Sequence, residues 1–358
     1  MQSPLKLITE SRTYQIFNFR SLPLYALQQY VAQVLEDYSN DFELKVLQSG
    51  NWITITDETY ETHIINSVSP LVYINYWNTP SIIRVQTYNL ATAAKHSNWD
   101  VRIHKIAQQI KNANPDIIGI QEACRNPNLG ADSMTNFISK IFGSSILNKA
   151  RERNMLDELL ELLPEYPYHY SHESMIYKNG STEGIAIISR YPIIDVRTAQ
   201  LTKALGDSEE RACLKVTIKH PKKIFSVFNT HMTYDPKGQL KQAQDILNFM
   251  NEENDGTPQI LLGDMNIRKY YELPSRLLEG KYLFKSSKGG LIDSWKNGNM
   301  EGDGLTFPSW RPKERLDRIY FRNIEAPPIC EVCGYGESEK IWASDHCSVY
   351  ADFILSIC

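Results

Sequence analysis

No run in the 358-residue sequence is long and apolar enough to cross a bilayer as a helix. The opening MQSPLKLITESRTYQ also lacks the basic start and apolar core of a secretory signal. Both absences point to the cytosol or nucleus as the expected location. Cysteine is sparse: six residues (124, 213, 330, 333, 347 and 358) are scattered along the chain. Cys330 and Cys333 form a single CxxC with no second pair, so neither a four-cysteine zinc site nor a disulfide framework is indicated. Reduced thiols are expected. Positive charge is not in excess either. A net charge of -4 speaks against a broad nucleic-acid surface, which needs phosphate-neutralising Lys and Arg, but it leaves room for a local basic cleft. SWRPKERLDRIYFR, with Arg311, Lys313, Arg315, Arg318 and Arg322, reads equally as such a cleft and as a solvated loop entering a strand. There is no internal repeat and no low-complexity segment. What is present is ordinary globular composition, 42% hydrophobic and 22% charged, in a chain long enough for one large domain or a large and a small one.

The patterning favours two parts. LKLIT and TYQIFNF are strand-like runs joined by the polar ESR, as in a hairpin. LPLYALQQYVAQVLEDY then places Leu24, Leu27, Tyr30, Val31, Val34 and Leu35 on one helical face. FELKVLQ, a turn at Ser49-Gly50-Asn51, WITIT and PLVYINYW follow as strands. This order, hairpin, helix, further strands, resembles a β-grasp, ubiquitin-like module over residues 1–79. Such a module either docks a protein partner or packs on the larger domain. NTPS at 78–81 marks the boundary.

From residue 80 to 358 the rhythm changes to buried strands separated by helices. IIRVQTYNL, DIIGIQEA, GIAIISR, ACLKVTIKH, IFSVFNTHM, QILLGDMN, LDRIYF and HCSVYADFIL are apolar strand runs. NWDVRIHKIAQQIKNANP, NMLDELLELLP and GQLKQAQDILNFM are amphipathic helices between them. The sum is an α+β architecture of layered sheets covered by helices.

Polar residues fall at the ends of these runs. Asn89 closes RVQTYN, Glu122 closes DIIGIQE, His231 closes FSVFNTH, and Asp264 and Asn266 close ILLGDMN. Asp317 opens LDRIYF, and Asp345 and His346 precede the last strand. A single Glu or His in such a place reads as a solvated loop residue or a satisfied core histidine. Many together place carboxylate, amide and imidazole along one rim, where distant segments converge. Oxygen donors without a cysteine cluster suit Mg²⁺ or Mn²⁺, ions that stabilise the charge developing in phosphoester cleavage. An Asp beside a His can set the imidazole tautomer for proton transfer.

At this point the residues resemble the endonuclease/exonuclease/phosphatase superfamily. YN at 88–89, IQE ending at Glu122, GIAIISRYPI at 184–193, NTH ending at His231, GDMN at 263–266, LDRIYF at 316–321 and SDH at 344–346 occur in that family's order. The resemblance implies a four-layered α/β/β/α sandwich. It also implies that Glu122 is the principal metal ligand, with Asn89 and Asp345 near the same ion or its waters. Asp264 and Asn266 would position the attacking water and the phosphate. His346, oriented by Asp317, would be the catalytic histidine, and His231 would bond the phosphate. Glu183 resembles an acid that some members pair with that second histidine. Whether Asp264 or His346 is the base stays open. The loops, including GGLIDSWKN and LTFPSW, resemble the tyrosyl-DNA phosphodiesterase and neutral sphingomyelinase branches more than the abasic-site endonucleases.

The expected activity is Mg²⁺- or Mn²⁺-dependent hydrolysis of a phosphodiester, in nucleic acid or a DNA adduct. The alternatives are a soluble sphingomyelinase-like or inositol-phosphate phosphatase, and an inactive scaffold binding protein through residues 1–79. Retention of every main site residue weighs against the scaffold. Arg190, Arg315 and Trp310 are candidate substrate contacts, with Trp295, Phe307 and Tyr320 readable as core or as a platform for a base or lipid chain.

Overall fold

The computed structural model describes residues 5–8, 13–16, 24, 27–28, 31, 42–48, 50–65, 71–76, 81–93, 96, 98–126, 153–178, 180–203, 209–252, 256–281, 290–298, 302–324, 329–335 and 341–355. Tyr30, Val34 and Leu35 of the expected first helix, Ser49 of the turn, boundary residues 78–80 and Cys358 lie outside them.

Five short strands begin the chain: β1 (Leu5–Ile8), β2 (Thr13–Ile16), β3 (Phe42–Gln48), β4 (Asn51–Thr54) and β5 (Leu71–Tyr76). They form a sheet in the order β2-β1-β5-β3-β4, with β1 parallel to β5 and the other pairs antiparallel. Alternation in FELKVLQ buries Leu44 and Val46 and leaves Lys45 half out, as a strand with one covered face requires. Leu24, Leu27 and Val31 are helical and buried in the same cluster, with Val72 and Ile64.

The larger part follows as β6 (Ser81–Asn89), α1 (Trp99–Ala113), β7 (Ile117–Asn126), β8 (Arg153–Asn154), α2 (Met155–Leu162), β9 (Tyr168–Ile176), β10 (Thr182–Ser189), β11 (Ile193–Gln200) and β12 (Ala212–Lys219). Then come β13 (Ile224–His231), α3 (Pro236–Asn251), β14 (Gln259–Asp264), α4 (Leu273–Leu278), β15 (Ile292–Asp293), α5 (Ser294–Asn297), β16 (Asp317–Arg322), β17 (Cys330–Cys333) and β18 (Ser348–Leu355). Helix boundaries follow local chemistry. Asp235 accepts from the Lys237 amide ahead of Pro236 at the first turn of α3, and Asn114 takes the left-handed conformation that ends α1.

Two sheets stack face to face. One has seven strands, in the order β17-β18-β6-β7-β10-β9 with β8 beside β7, and the other six, β11-β12-β13-β14-β16-β15. Val85, Ile117 and Ile187 from the first meet Leu214, Val227 and Leu262 from the second in the central core. α1 and α2 cover the outer face of the first sheet through Ile103, Ile106, Ile110 and Leu159. α3 and α4 cover the second through Ile246, Met250 and Leu278. The order of layers is helix, sheet, sheet, helix.

The sheets touch closely at Gly119, where an added Cβ would lie 1.8 Å from Leu262 Cδ1. Beside it Asn229, fully buried on β13, crosses the core. Its Nδ2 donates to the carbonyls of Ile120 and Ala186, both at 2.8 Å, and its Oδ1 accepts from Gln121 Nε2 at 2.7 Å. Asn229→Ala orphans these groups in the interior and is expected to cost about 3 kcal/mol, at ~1–3 kcal/mol for each unsatisfied group. The midpoint of urea unfolding measures it, and an unshifted midpoint would refute the assignment.

The first sheet of the chain packs on the larger part. Arg84 on β6 makes a two-point ion pair with Asp352 on β18, at 2.7 and 2.9 Å, above the Tyr350 ring. The β3–β4 hairpin closes over this pair: Arg84 Nη1 donates to the Gly50 carbonyl, and Trp52 Nε1 donates to Asp352 Oδ2 at 3.1 Å. Leu47 and Trp52 pack against Tyr350, Ile329 and Ala113. The N-terminal strands therefore pack on the larger part of the chain.

Candidate active site

The registers dictate where the polar strand ends meet. β6 and β7 are parallel, with Asn89 opposite Gln121, so Asn89 and Glu122 reach the same edge of the first sheet. β18 runs antiparallel to β6, with Val349 opposite Thr87, which brings the preceding Asp345 and His346 to that edge. In the second sheet His231 is registered with Asp264, and Asp264 with Asp317. Asn89 links the two edges, its Nδ2 donating to Glu122 Oε1 at 3.2 Å and to Asp264 Oδ2 at 3.1 Å. Its own oxygen accepts from the Ala91 amide at 3.0 Å.

Glu122 owes its position to a β-bulge. The pairing of β10 with β7 steps from Gly184–Ala123 to Ile185–Gln121, leaving Glu122 as the extra residue, with φ +59. A bulge re-aims one side chain, and a left-handed Glu is a strained choice that clusters at functional sites. Its Oε2 accepts from the Thr92 amide at 2.8 Å. Asn266 is also left-handed, φ 52, in a turn where Asp264 Oδ1 accepts from its amide at 2.9 Å. That turn aims Asn266 Nδ2 at the Met232 carbonyl, 2.9 Å away.

His346 lies between two carboxylates. Asp317 Oδ2 is 2.8 Å from Nδ1, and Asp264 Oδ2 is 3.7 Å from Nε2. The other oxygen of Asp317 is buried without a partner among the described residues. Burial opposes charge on the ring, but Asp317, Asp264 and Asp345 outweigh it and raise the His346 pKa to about 10. Burial, opposed by His346 and reinforced by Asp317, raises Asp264 to about 6. Asp264 also faces His231 Nε2 at 3.4 Å. Asp345 is partly exposed, 3.8 Å from His96 Nε2.

Among the described residues, two groups bring ligand atoms within 4.8 Å of one another: Glu122, Glu183 and His231, and Asp264, Asp317 and His346. In the second the imidazole occupies the space between the acids, which suits proton transfer more than ligation. Glu122 and Asp345 both act on the Arg102 guanidinium, which also bonds the Leu90, Ala91 and Ala343 carbonyls and so ties their two loops together. An acidic, all-oxygen set of this kind fits a hard divalent cation.

Three candidate substrate contacts fare differently. Arg190 bonds Asn114 Oδ1 at 2.5 Å and pairs with Asp116 at 3.5 Å, before the start of β7 and thus at the opposite end from Glu122. It is not at the rim, because its strand ends on the far side of the sheet, and the expectation of substrate contact there is corrected. Arg315 is paired with Asp293 and lines a cleft of about 760 Å³ with Trp295, Lys269 and Lys313. Trp310 is 40% exposed and stacks on Trp342 at 4.5 Å. Its neighbour Ser309 bonds the Asp345 and Ser344 carbonyls, at 2.7 and 2.6 Å, holding the tryptophan beside the site.

The platform residues divide as well. Phe307 lies 4.8 Å from the His346 ring, whereas Tyr320 is fully buried and Trp295 is covered by Gly304. Cys330 and Cys333 are free thiols on β17, and burial pushes Cys333 up to about 11, away from reactivity.

Arg211 and the supporting hydroxyls of Ser344 and Thr306 also serve the site. Ser344 Oγ donates to the Asn89 carbonyl at 2.6 Å and accepts from the His346 amide at 3.1 Å. Thr306 Oγ1 accepts from the Asp317 amide at 3.2 Å. Only the serine carried a signal, as the first letter of SDH.

A profile of the Endonuclease/Exonuclease/phosphatase family matches residues 77–346. Among solved structures, a family protein from Leptotrichia buccalis superimposes with TM-score 0.58 at 22% identity, covering 76% of this chain and 99% of that one. A mannosyl-6-phosphatase from Bacteroides thetaiotaomicron gives 0.54 at 21%, covering 76% and 99%. A humanized D. rerio TDP2 gives 0.54 at 16%, covering 76% and 98%. At these identities the likeness is one of fold. No curated protein matches the chain.

Proposed function

Since the chain belongs to the endonuclease/exonuclease/phosphatase family of phosphoester hydrolases, we propose that it is a Mg²⁺- or Mn²⁺-dependent phosphodiesterase acting on nucleic acid or a DNA adduct. One observation carries the reading: His346, held by Asp317 and facing Asp264, sits on the same rim as the bulged Glu122. Glu122 and Asp345 would hold the cation, with Asn89 orienting the Glu122 carboxylate. When bound, the ion would neutralise phosphate oxygens and the charge that develops on them.

The protein's own groups supply the rest. Asp264 is the base assigned to water, because its buried carboxylate faces both histidines and is fixed by Asn89 and the Asn266 amide. His346, flanked by two acids, carries a proton and donates to the phosphate in the transition state. His231 and Asn266 donate to phosphate oxygens. Trp310, anchored beside Asp345, is placed to meet an aromatic or base portion of the substrate. Arg315 lies in the neighbouring cleft, where the Lys269 and Lys313 side chains add positive charge.

We read residues 1–79 as a β-grasp module and residues 80–358 as the catalytic domain. The strand order β2-β1-β5-β3-β4 and the buried helical Leu24, Leu27 and Val31 support this. The β3–β4 hairpin is docked on the catalytic domain, so a protein partner would meet the β2 side of the sheet. A cytosolic or nuclear location is consistent with the absence, among the described residues, of a helix able to cross a membrane.

The test is a substrate panel of single-stranded DNA, RNA, abasic duplex, 5′-phosphotyrosyl DNA, sphingomyelin and inositol phosphates. Turnover is expected on a nucleic-acid member with Mg²⁺ or Mn²⁺ and none in excess chelator. Chelator-resistant turnover would defeat the metal assignment. Turnover confined to sphingomyelin or inositol phosphates would replace the substrate class.

A further inference from the structure

Arg211, at the entry to β12, donates from Nη1 to His231 Nδ1 at 2.9 Å. A guanidinium has no acceptor and does not lose its proton in proteins, so the direction of this bond is not ambiguous. Nδ1 must be the accepting nitrogen, and the ring hydrogen must reside on Nε2. That hydrogen points to the catalytic side, where Asp264 Oδ2 lies 3.4 Å away.

The arginine is itself firmly held. It is 7% exposed, its Nη2 pairs with Glu209, and its carbonyl accepts from the Leu201 amide at 2.8 Å and Gln200 Nε2 at 2.9 Å. Its Nε is buried without a partner among the described residues. It lines a small polar cavity with Ser174, Glu183, Glu210 and His231, and its bonds to His231 and Glu209 fix the guanidinium at the wall of that cavity.

We infer that Arg211 is a positioning residue that locks His231 in the Nε2–H tautomer, making it a fixed hydrogen-bond donor to substrate phosphate and barring it from ligating metal. A metal-binding imidazole offers a bare nitrogen to the ion and donates its other N–H to an acceptor. His231 shows the reverse arrangement. Its Nδ1 is taken up by a cation, and its Nε2 carries the hydrogen. The Glu122, Glu183 and His231 grouping is therefore not a three-ligand metal centre, although its atoms are close enough to suggest one. Glu183 also accepts from the Tyr177 hydroxyl at 2.8 Å.

The catalytic half of this inference rests on the proposed phosphoester hydrolysis; the tautomer half does not. The experiment separates them. Long-range ¹H–¹⁵N correlation spectra of ¹⁵N-histidine-labelled full-length protein report which ring nitrogen is protonated, with His231→Gln identifying the resonance. Spectra are recorded without metal and with Mg²⁺ alone.

Wild type is expected to show a single Nε2–H pattern under both conditions. Arg211→Met should give a mixture or the Nδ1–H form and lower kcat by about 10- to 100-fold, the scale for losing a group that orients a working ligand or donor. Arg211→Lys, which retains a cationic donor, should recover the Nε2–H pattern and part of the rate. An Nδ1–H wild type, or a Mg²⁺-induced loss of the Nε2 proton, overturns the inference. So does an Arg211→Met protein that keeps the pure Nε2–H pattern. A shifted tautomer with unchanged kcat leaves the lock standing and removes His231 from the proposed chemistry.

Discussion

His346→Gln is expected to lower turnover of a phosphodiester reporter by about 10²- to 10⁴-fold while the protein stays folded, the range for losing a positioned acid or base. The imidazole is wedged between Asp317 at 2.8 Å and Asp264 at 3.7 Å, and no amide reproduces its ability to carry a proton between them. Glutamine is the informative replacement because its amide still donates to Asp317. Alanine would leave two buried carboxylates without a counter-charge, at a cost of ~3–5 kcal/mol, so low activity could reflect unfolding.

The pH dependence of stability supplies an independent check. His346 has an ordinary pKa of 6.5 and is raised to about 10 in the fold, so its charged form is favoured by folding. That stabilisation is complete below pH 6.5 and is lost as the pH climbs through about 10. In metal-free protein the melting temperature of wild type should therefore fall more steeply over this interval than that of His346→Gln. Parallel curves would show that His346 is not held between acids in solution, and a folded variant with full turnover would remove it from the mechanism.

Asp264→Asn should be comparably damaging to activity, with a loss of about 10³-fold, yet no less stable at neutral pH. The carboxylate is the meeting point of the site, accepting from Asn89 and the Asn266 amide and facing both His231 and His346. An amide cannot take the proton of attacking water. It can still occupy the same space and accept with its oxygen.

Asp264 is raised from 3.8 to about 6, so its neutral form is favoured in the fold and ionisation weakens the native state. The wild-type contribution is present below pH 3.8 and is lost as the pH rises through about 6. Relative to wild type, Asp264→Asn should gain in melting temperature between pH 4 and pH 7. A variant that loses ground over that interval would contradict the burial cost, and one with wild-type kcat would take Asp264 out of catalysis. A group kept charged against its environment because the reaction needs it is the usual trade between stability and activity.

Much of this site was readable in advance because the residues terminate strands. Period-two and buried apolar runs locate strands, and strands carry their ends to rims, so Asn89, Glu122, His231, Asp264, Asp317 and His346 could be grouped without coordinates. The family order of the motifs then supplied the sandwich. Arg190 misled for the same reason. SRYP also ends a strand, but β10 runs antiparallel to β7, and its end emerges at the opposite rim. Direction along the sheet is not written in a local pattern.

Residues acting through others were harder to find. Arg211 precedes a strand and sits in an acidic run, SEER, that reads as solvated; its partner lies on the neighbouring strand. Asn229 lies within an apolar strand and became a cross-core pin only when the second sheet met it. The N-terminal strands were legible as strands, while the Arg84–Asp352 pair that the β3–β4 hairpin closes over depends on residues 268 apart.

By itself the sequence determined the element types, the layered α+β class, the family and the identities of the polar strand ends, since these follow from periodicity, turn chemistry and ordered motifs. Only the tertiary structure decided which ends share a rim, which nitrogen of His231 bears hydrogen, and that Arg190 stands apart. Those depend on strand direction, register and the partner each polar atom meets in space, and these are set by long-range packing.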